Sequence, residues 1–443
     1  MYKYGKGDMF LSGSHVEYFD LSREQRDVLA TDIEYPDTNI NTLSGLVSFK
    51  RQYTDDIIRR AIDLVIKNEQ GLRLRVIEVD GEYKQYEVDC PQSDIPIMFK
   101  DNLSQDEIDT LIHEEARYVF QWRQNQRLRF LSFKSQDASG VIVTGHHSMV
   151  DGYSMVFIGK LLAEYCEEIY LSGRSAAEDT LPYCYTDFVE RGKKYLLSER
   201  YKRDYEYWCR HYSDWNGPCS LKAEEKQSKS PAANQVARVL NDDFTKTLHT
   251  ACRELSISPA VVFISAVFLL LHCKNPDKKS VDMGISQHNR PTANDKKALG
   301  TFANETIVSI EMNTSQTVRE FFDVVRKALL KSYLHGQMVL GEITNIAKQY
   351  HPEATMVRDV TFSYILYSNE DGNYIKRTDN GTSETGTDFY VWNVGDGCEM
   401  LFAMNYRADV FTAAEANKIF DGILQILNDF VMNVDGALKT DYV

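Results

Sequence analysis

The chain has 443 residues, enough for two or three domain-sized units, and its 43% hydrophobic and 26% charged content is that of a globular protein. With 65 acidic against 50 basic residues the formal net charge is -15. That argues against a nucleic-acid channel or an anionic membrane surface and is compatible with docking a protein partner only through local basic patches. The first 22 residues lack the apolar run of a signal peptide, and the longest apolar stretch, Ala260–Cys273, falls short of the roughly 18 residues of a membrane span. The eight cysteines are scattered with no CxxC, as expected of reduced thiols, so the expected location is cytoplasmic.

In chain order, Thr54 is placed to cap a helix over 54–68, with Ile57, Ile58, Ala61, Ile62 and Val65 on one face. Residues 72–88 alternate about Asp80-Gly81 and predict a hairpin. Ser104 opens an amphipathic helix over 104–120, and 126–147 reads as two strands joined by a polar turn. Tyr153–Ile169 forms a third helix; the polar segment 171–182 is the candidate domain boundary. A helix pair over 183–212 carries Tyr207-Trp208, and the lysine-rich stretch 216–234 is a surface loop.

The second half repeats the style of the first. A strand at 235–241 and a helix at 243–255 precede Ser258-Pro259, a serine cap with proline at the first helical position, which opens the apolar helix. Strands at 280–286 and 305–312 flank a polar loop. Thr317 with Glu320 and Thr412 with Glu415 are capping boxes before long helices. Strands at 359–367 and 398–407 complete the set. Strands alternating with helices in two successive halves predict an α/β (α+β) protein of two mixed lobes.

The stretch 143–155, "VTGHHSMVDGYSM", carries the chemistry. His146 and His147 stand at the exit of a strand, where a side chain can reach a cleft. An imidazole can take a proton from an attacking amine or hydroxyl. Asp151 can orient an imidazole or pair with an arginine, and Gly152 allows close backbone approach. Three other readings compete: satisfied structural residues, metal ligation by two histidines and an aspartate, and the HxxxxD pair of glycerolipid acyltransferases, formed by His146 and Asp151. Adjacent histidines point apart on a strand, and the acidic chain shows no membrane anchor.

"HHSMVDGYS" resembles the HHxxxDG signature of condensation domains of nonribosomal peptide synthetases, in the chloramphenicol-acetyltransferase-like superfamily. Further blocks follow in family order: "LSREQ", "EQGLRLRV", "YEYWCRHYSD", "SPAVVFISAVFLLLHC" with "SVDMGISQHNR", "LGTFANETIVSIEM", "TFSYILYSN" and "LFAMNYRADVFT". Together they span residues 20–433.

The resemblance implies two acetyltransferase-like lobes in a V, residues 1–178 and 179–443, with an active-site tunnel at their junction. A floor loop would lie at about 287–306 and a latch at about 370–387. Donor and acceptor carrier proteins would each send a phosphopantetheine arm into the tunnel. An amine on one would attack an acyl thioester on the other, leaving an amide. By the same resemblance His147 is catalytic, as base or by positioning the nucleophile, and His146 points inward and holds the loop. Asp151 pairs with Arg290, because stranding one buried charge costs about 3–5 kcal/mol. The Gly152 N–H is expected to face the oxyanion. Tyr153, Ser154, Asn304, Ser363 and Tyr364 are expected along the tunnel, with loop hydrogen bonding as the plainer reading of Asn304 and Thr306.

Glu69 stands where relatives often have histidine. The retained HH argues against heterocyclisation, and the glutamate block of epimerising relatives is not found. No carrier or adenylation signature occurs, so carrier proteins, and an adjacent adenylation domain, would be separate partners. A methionine close to the first block favours an N-terminal or stand-alone domain. No bound cofactor and no metal are expected. The alternative function is a stand-alone acyltransferase of the same superfamily that uses acyl-coenzyme A or forms esters.

Overall fold

Two large sheets organise the computed structural model, which describes residues 16–89, 95–121, 127–136, 138–179, 183–222, 230–365, 374–394 and 399–442. The first sheet has five strands, in spatial order Tyr374–Thr378 (β12), Thr42–Ser48 (β2), Ser139–His146 (β7), Leu128–Lys134 (β6) and Ile97–Lys100 (β5). The second has six: Asn304–Glu311 (β10), Ser280–Gln287 (β9), Val360–Ile365 (β11), Thr387–Val394 (β13), Glu399–Arg407 (β14) and Ala233–Leu240 (β8). A small sheet joins Phe19–Asp20 (β1), Glu82–Glu87 (β4) and Leu74–Val79 (β3).

The helices of the first half are Arg23–Glu34 (α1), Asp55–Asn68 (α2), Gln70–Arg73 (α3), Gln105–Ala116 (α4) and Gly152–Ser172 (α5). Then come Thr186–Leu196 (α6), Glu199–Ser213 (α7), Asp242–Leu255 (α8), Pro259–Lys274 (α9), Val318–Leu334 (α10), Leu340–Tyr350 (α11) and Ala413–Met432 (α12).

Local chemistry sets most boundaries. Ser104, Thr317 and Thr412 cap their helices with Glu107, Glu320 and Glu415 closing the box. Asp80 and Gly81 both take positive φ, as the two-residue hairpin turn between β3 and β4 requires. Two expectations shift. Helix α4 ends at Ala116, short of 120, because Tyr118 gives its carbonyl to Thr42 and Phe120 turns inward onto His146. Ser258 makes no side-chain capping bond. Helix α9 rests instead on Pro259 and on burial of every residue from Val261 to Leu271, which makes it the core helix of the second half. Among the described residues no single helix is long and apolar enough to cross a membrane.

Period-two alternation divides β7 between two layers. Val141 and Val143 pack with Ile58, Ile62, Ile158 and Leu162 of α2 and α5, whereas Ile142 packs with Ile108 and Ile112 of α4. The second core gathers α9, α10 and α12 on one face of the six-stranded sheet.

The packing crosses the division expected after residue 178. Strand β12 pairs antiparallel with β2, Tyr374 opposite Ser48 through Thr378 opposite Ser44. It lies within the expected latch, of which residues 370–373 fall outside the described residues. Leu299 enters the core beneath α2 and α5, and Phe302 packs with Leu74, Tyr185 and Phe188. Cys166, Cys184, Cys209, Cys219, Cys252 and Cys273 are free thiols; Cys90 and Cys398 lie outside the described residues.

Candidate active site at the exit of β7

Strand β7 is central and wholly buried, and it ends at His146 in a tight turn. The N–H groups of Met149 and Val150 both reach the His146 carbonyl, at 2.8 and 3.2 Å. Gly145 makes this return possible: a Cβ there would lie 2.5 Å from the Val150 side chain. Asp151 ends the turn and caps α5, its Oδ1 accepting from the Ser154 N–H at 2.7 Å.

The two histidines point apart, as successive residues at a strand exit must. His146 is buried at 3% exposure. Its Nδ1 lies 2.8 Å from Ser148 Oγ and its Nε2 3.2 Å from Asp32 Oδ2, while Phe120 meets the ring edge-on. Asp32 also accepts from Asn41 Nδ2 at 2.7 Å, and the Asn41 carbonyl accepts the His147 N–H at 2.7 Å. From the other side Thr301 donates its hydroxyl to the His147 carbonyl at 2.5 Å. The main chain of His147 is thus held by groups from both halves of the chain.

The His147 ring is treated differently. It is half-buried, and its Nδ1 has no hydrogen-bond partner meeting normal geometry. Burial pushes its pKa down from the usual imidazole value; the Asp151 charge and the residue's own carbonyl oppose this, and His146 and Arg377 add to it. The imidazole is therefore neutral near pH 7, the form that accepts a proton.

Asp151 is fully buried, and both its oxygens are engaged. Arg290 grips it in a fork, Nη1 to Oδ2 at 2.8 Å and Nη2 to Oδ1 at 3.0 Å. The N–H groups of Phe302 and Ala303 also reach Oδ2, at 3.0 and 2.9 Å. Burial alone would raise the carboxyl pKa, but the Arg290 charge and these hydrogen bonds outweigh it and hold the pKa below the ordinary range. The rings of Tyr153 and Phe302 each lie 4.3 Å from the Arg290 guanidinium carbon and add their π-faces to the cation's setting.

Of the remaining expected site residues, Gly152 is the first residue of α5, and among the described residues no hydrogen bond engages its N–H. A Cβ there would meet only Ile365, at 3.7 Å, so the glycine leaves open room beside β11. Tyr153 is partly exposed and donates its hydroxyl to the Lys296 carbonyl at 2.9 Å. Ser363 faces the same side of β11 as Ile365 and bonds Ser286 Oγ at 2.7 Å.

Three residues expected along a passage are committed elsewhere. Ser154 is fully buried, and its hydroxyl is spent on Arg290 and on both main-chain groups of Gly300. Asn304 turns its amide to the carbonyls of Gly336 and Met338, at 3.0 and 3.1 Å; Thr306 bonds Ser332 at 2.8 Å. Tyr364 points to the opposite face of β11 from Ser363, against Phe263 in the second core. Strand alternation decides between the last two.

Residues that sequence reasoning missed hold the turn from a distance. Besides Asp32, Asn41 and Thr301, Gln25 donates to the Ser148 carbonyl at 3.0 Å, and Glu69 accepts the Leu299 N–H at 2.9 Å. Gln25 sits in the block "LSREQ" and Glu69 departs from the family pattern, but neither signal names a partner more than a hundred residues away.

The family model for the condensation domain matches residues 17–442. The chain belongs to the condensation-domain family. It is thereby an acyltransferase-type enzyme of amide-bond formation. It is similar to surfactin synthase subunit 1 of Bacillus subtilis (strain 168), 21% identical over 94% of this chain and 12% of that protein. It is likewise similar to bacitracin synthase 3 of Bacillus licheniformis, 21% identical over 93% of this chain and 6% of that protein. The condensation domain thus spans only about an eighth, or less, of the length of these relatives. Its fold matches the first condensation domain of the calcium-dependent antibiotic synthetase, with TM-score 0.82, 15% identity, and 96% and 99% of the two chains covered. It matches equally the starter condensation domain of rhizomide synthetase in complex with C8-CoA, with TM-score 0.82, 15% identity and coverage of 96% and 98%. The chloramphenicol-acetyltransferase-like, mixed α/β architecture expected above is the one observed.

Proposed function

We propose that the condensation domain joins a donor acyl group to an acceptor amine, both tethered by phosphopantetheine to carrier proteins, in a tunnel between two lobes arranged as a V. The amine nitrogen attacks the thioester carbonyl carbon and the C–S bond breaks. His147 takes the proton released by the amine and returns it to the departing thiolate, so the amide remains on the acceptor arm. The Gly152 N–H, at the positive end of α5, faces the oxygen that gains charge during attack. Asp151, Arg290 and His146 do not touch substrate; they hold the turn. The pantetheine arm arrives with the substrate, and the domain needs no resident cofactor. A neighbouring adenylation domain would supply the aminoacyl group.

The observation that carries this reading is the neutral, half-buried His147 imidazole with an unpartnered Nδ1, where every other polar side chain of the motif is consumed by internal bonds. The test incubates the domain with a hexanoyl-loaded donor carrier and an aminoacyl-loaded acceptor carrier, and follows the acceptor by mass spectrometry. An acceptor heavier by the hexanoyl group, absent with His147→Ala, is expected. Full activity in that variant removes the proposed base; turnover with hexanoyl-coenzyme A alone, and none with the carrier, would make the chain a free acyltransferase.

A further inference from the structure

One strand of the second sheet loses its cover before it ends. Strand β9 is interior, paired with β10 on one side and β11 on the other. Val281, Met283 and Ile285 enter the second core, so Asp282, Gly284 and Ser286 share the opposite face. Asp282 is closed off there by Trp215, whose indole N–H it accepts at 2.7 Å. Gly284 is closed off too: a Cβ there would fall 2.1 Å from Glu305 Oε1 and 3.2 Å from Arg358 Cδ. Ser286 alone of the three is exposed. Because its strand is paired at both edges, that exposure is an opening above the sheet. The opening adjoins the site. Ser363 on β11 lies beside Ser286 and faces the same side as Ile365, the side chain nearest the free room at Gly152. Strand β9 ends one residue after Ser286, where Gln287 pairs with Asn304, and Ala303 just before Asn304 donates its N–H to Asp151 at 2.9 Å.

We infer that Ser286 is a substrate-binding residue that takes an amide group of the pantetheine arm. The claim rests on the reading of the site given above, in which two such arms reach the turn. Ser363 is nearly buried, at 9% exposure, and donates its hydroxyl to Ser286 Oγ at 2.7 Å. Ser286 keeps its own proton and one lone pair, and among the described residues no other bond engages its side chain. Pantetheine is a neutral chain with two amides, each offering one carbonyl and one N–H. A hydroxyl that already accepts from below has its O–H to give outward, which fits the amide carbonyl. Glu305, in register with Ser286, is spent on Arg358, so the nearest charges already answer one another. A charged group would find no counter-ion in the serine pair, and burying it there would be costly. The main chain beneath Ser286 is held from both edges and by Ser363 from the side, so little ordering remains to be done on binding.

The test measures binding of stable acyl-pantetheine analogues, with nitrogen in place of the thioester sulfur, to the full chain by calorimetry. A hexanoyl form probes the donor arm and a glycyl form the acceptor arm. Each is compared with two counterparts, in which one or the other pantetheine amide is replaced by a trans-alkene that keeps the shape and removes both polar groups. For one amide of one arm, the preference for amide over alkene is expected to be about fivefold greater in the unaltered chain than in Ser286→Ala, the worth of one net neutral hydrogen bond. Ser286→Thr keeps the hydroxyl and should keep the preference. Ser363→Ala breaks the same internal bond but leaves the Ser286 hydroxyl, and should keep it as well. Equal preferences in the unaltered chain and Ser286→Ala, for both amides of both arms, overturn the inference; so does a preference lost in Ser363→Ala and kept in Ser286→Ala. Binding does not require turnover. A chain that shows the Ser286-dependent preference but forms no amide from any carrier pair would overturn the proposed reaction and leave the Ser286 assignment standing.

Discussion

The inner and outer sides of the turn after β7 are built from consecutive residues and end in opposite states. On the inner side, His146, Ser148, Asp151 and Ser154 are buried, and each has partners: Asp32, Arg290, and the main chain at Gly300, Phe302 and Ala303. On the outer side, His147 has a bare Nδ1 and Gly152 an unengaged N–H among the described residues. A buried polar group without a partner is costly. On the proposed reading a short motif serves two ends: its saturated side would supply rigidity, and its bare side would meet substrate.

Removing the bare side should change rate and spare the fold. His147→Ala is expected to lower product formation about 10²- to 10⁴-fold, with the thermal midpoint unchanged; a variant that is active, or unfolded, would erase the distinction. Removing the saturated side should do the reverse. Asp151→Ala strands Arg290 and should cost about 3–5 kcal/mol in denaturant unfolding. Asp151→Ala with Arg290→Ala together should cost less than the two single losses added, and strict additivity would show that the pair is not a unit.

Smaller changes sharpen the boundary between the sides. Thr301→Val removes the donor to the His147 carbonyl. The rate should fall by roughly threefold to tenfold at nearly constant KM, because one hydrogen bond that orients the base is worth about 1 kcal/mol; a change confined to KM would assign Thr301 to substrate binding instead. The low pKa of His147 adds a pH test. Since burial holds the pKa below the free imidazole value, the acidic limb of kcat should fall below about pH 6.5. A limb at or above that value would mean that His147 is not the titrating base.

Glu69 gives a pH-dependent effect outside the motif. Burial raises its pKa to about 8, although the Leu299 N–H, Arg73 and Arg290 oppose the rise. Between the unfolded carboxyl range and pH 8 the folded state holds a proton that the unfolded state has lost, so stability declines as pH rises through that window. Glu69→Gln keeps an acceptor for Leu299 and cannot ionise. Its thermal midpoint should gain on the parent progressively from pH 5 to pH 8, and parallel pH profiles would show that Glu69 is ionised throughout.

Much of the fold was legible because its signals are local. Thr54, Ser104, Thr317 and Thr412 announce helices through bonds to residues three positions on, and Asp80-Gly81 announces its turn. The motif was legible as a motif, and the contact between Asp151 and Arg290 was legible through the family resemblance, the need of a buried charge for a partner giving the physical reason but not the partner's place. Which faces the side chains take was not. Ser154, Asn304 and Tyr364 were expected along a passage; Ser154 and Asn304 are buried in internal hydrogen bonds, and Tyr364 packs partly buried against the second core, since a one-residue step on a strand reverses direction.

By itself, then, the sequence determined the order of helices and strands and the place of the histidine turn, which rest on periodicity and on residues close in the chain, and the family, which rests on the resemblance of its motif blocks. Tertiary structure alone decided that Asn41 and Thr301 hold the main chain of His147, that Asp32 holds the ring of His146, and that β12 joins the first sheet. Those contacts link residues more than a hundred positions apart in most cases. Their partners are chosen by packing geometry and by the cost of leaving buried polar groups unpaired, and neither leaves a periodic trace along the chain.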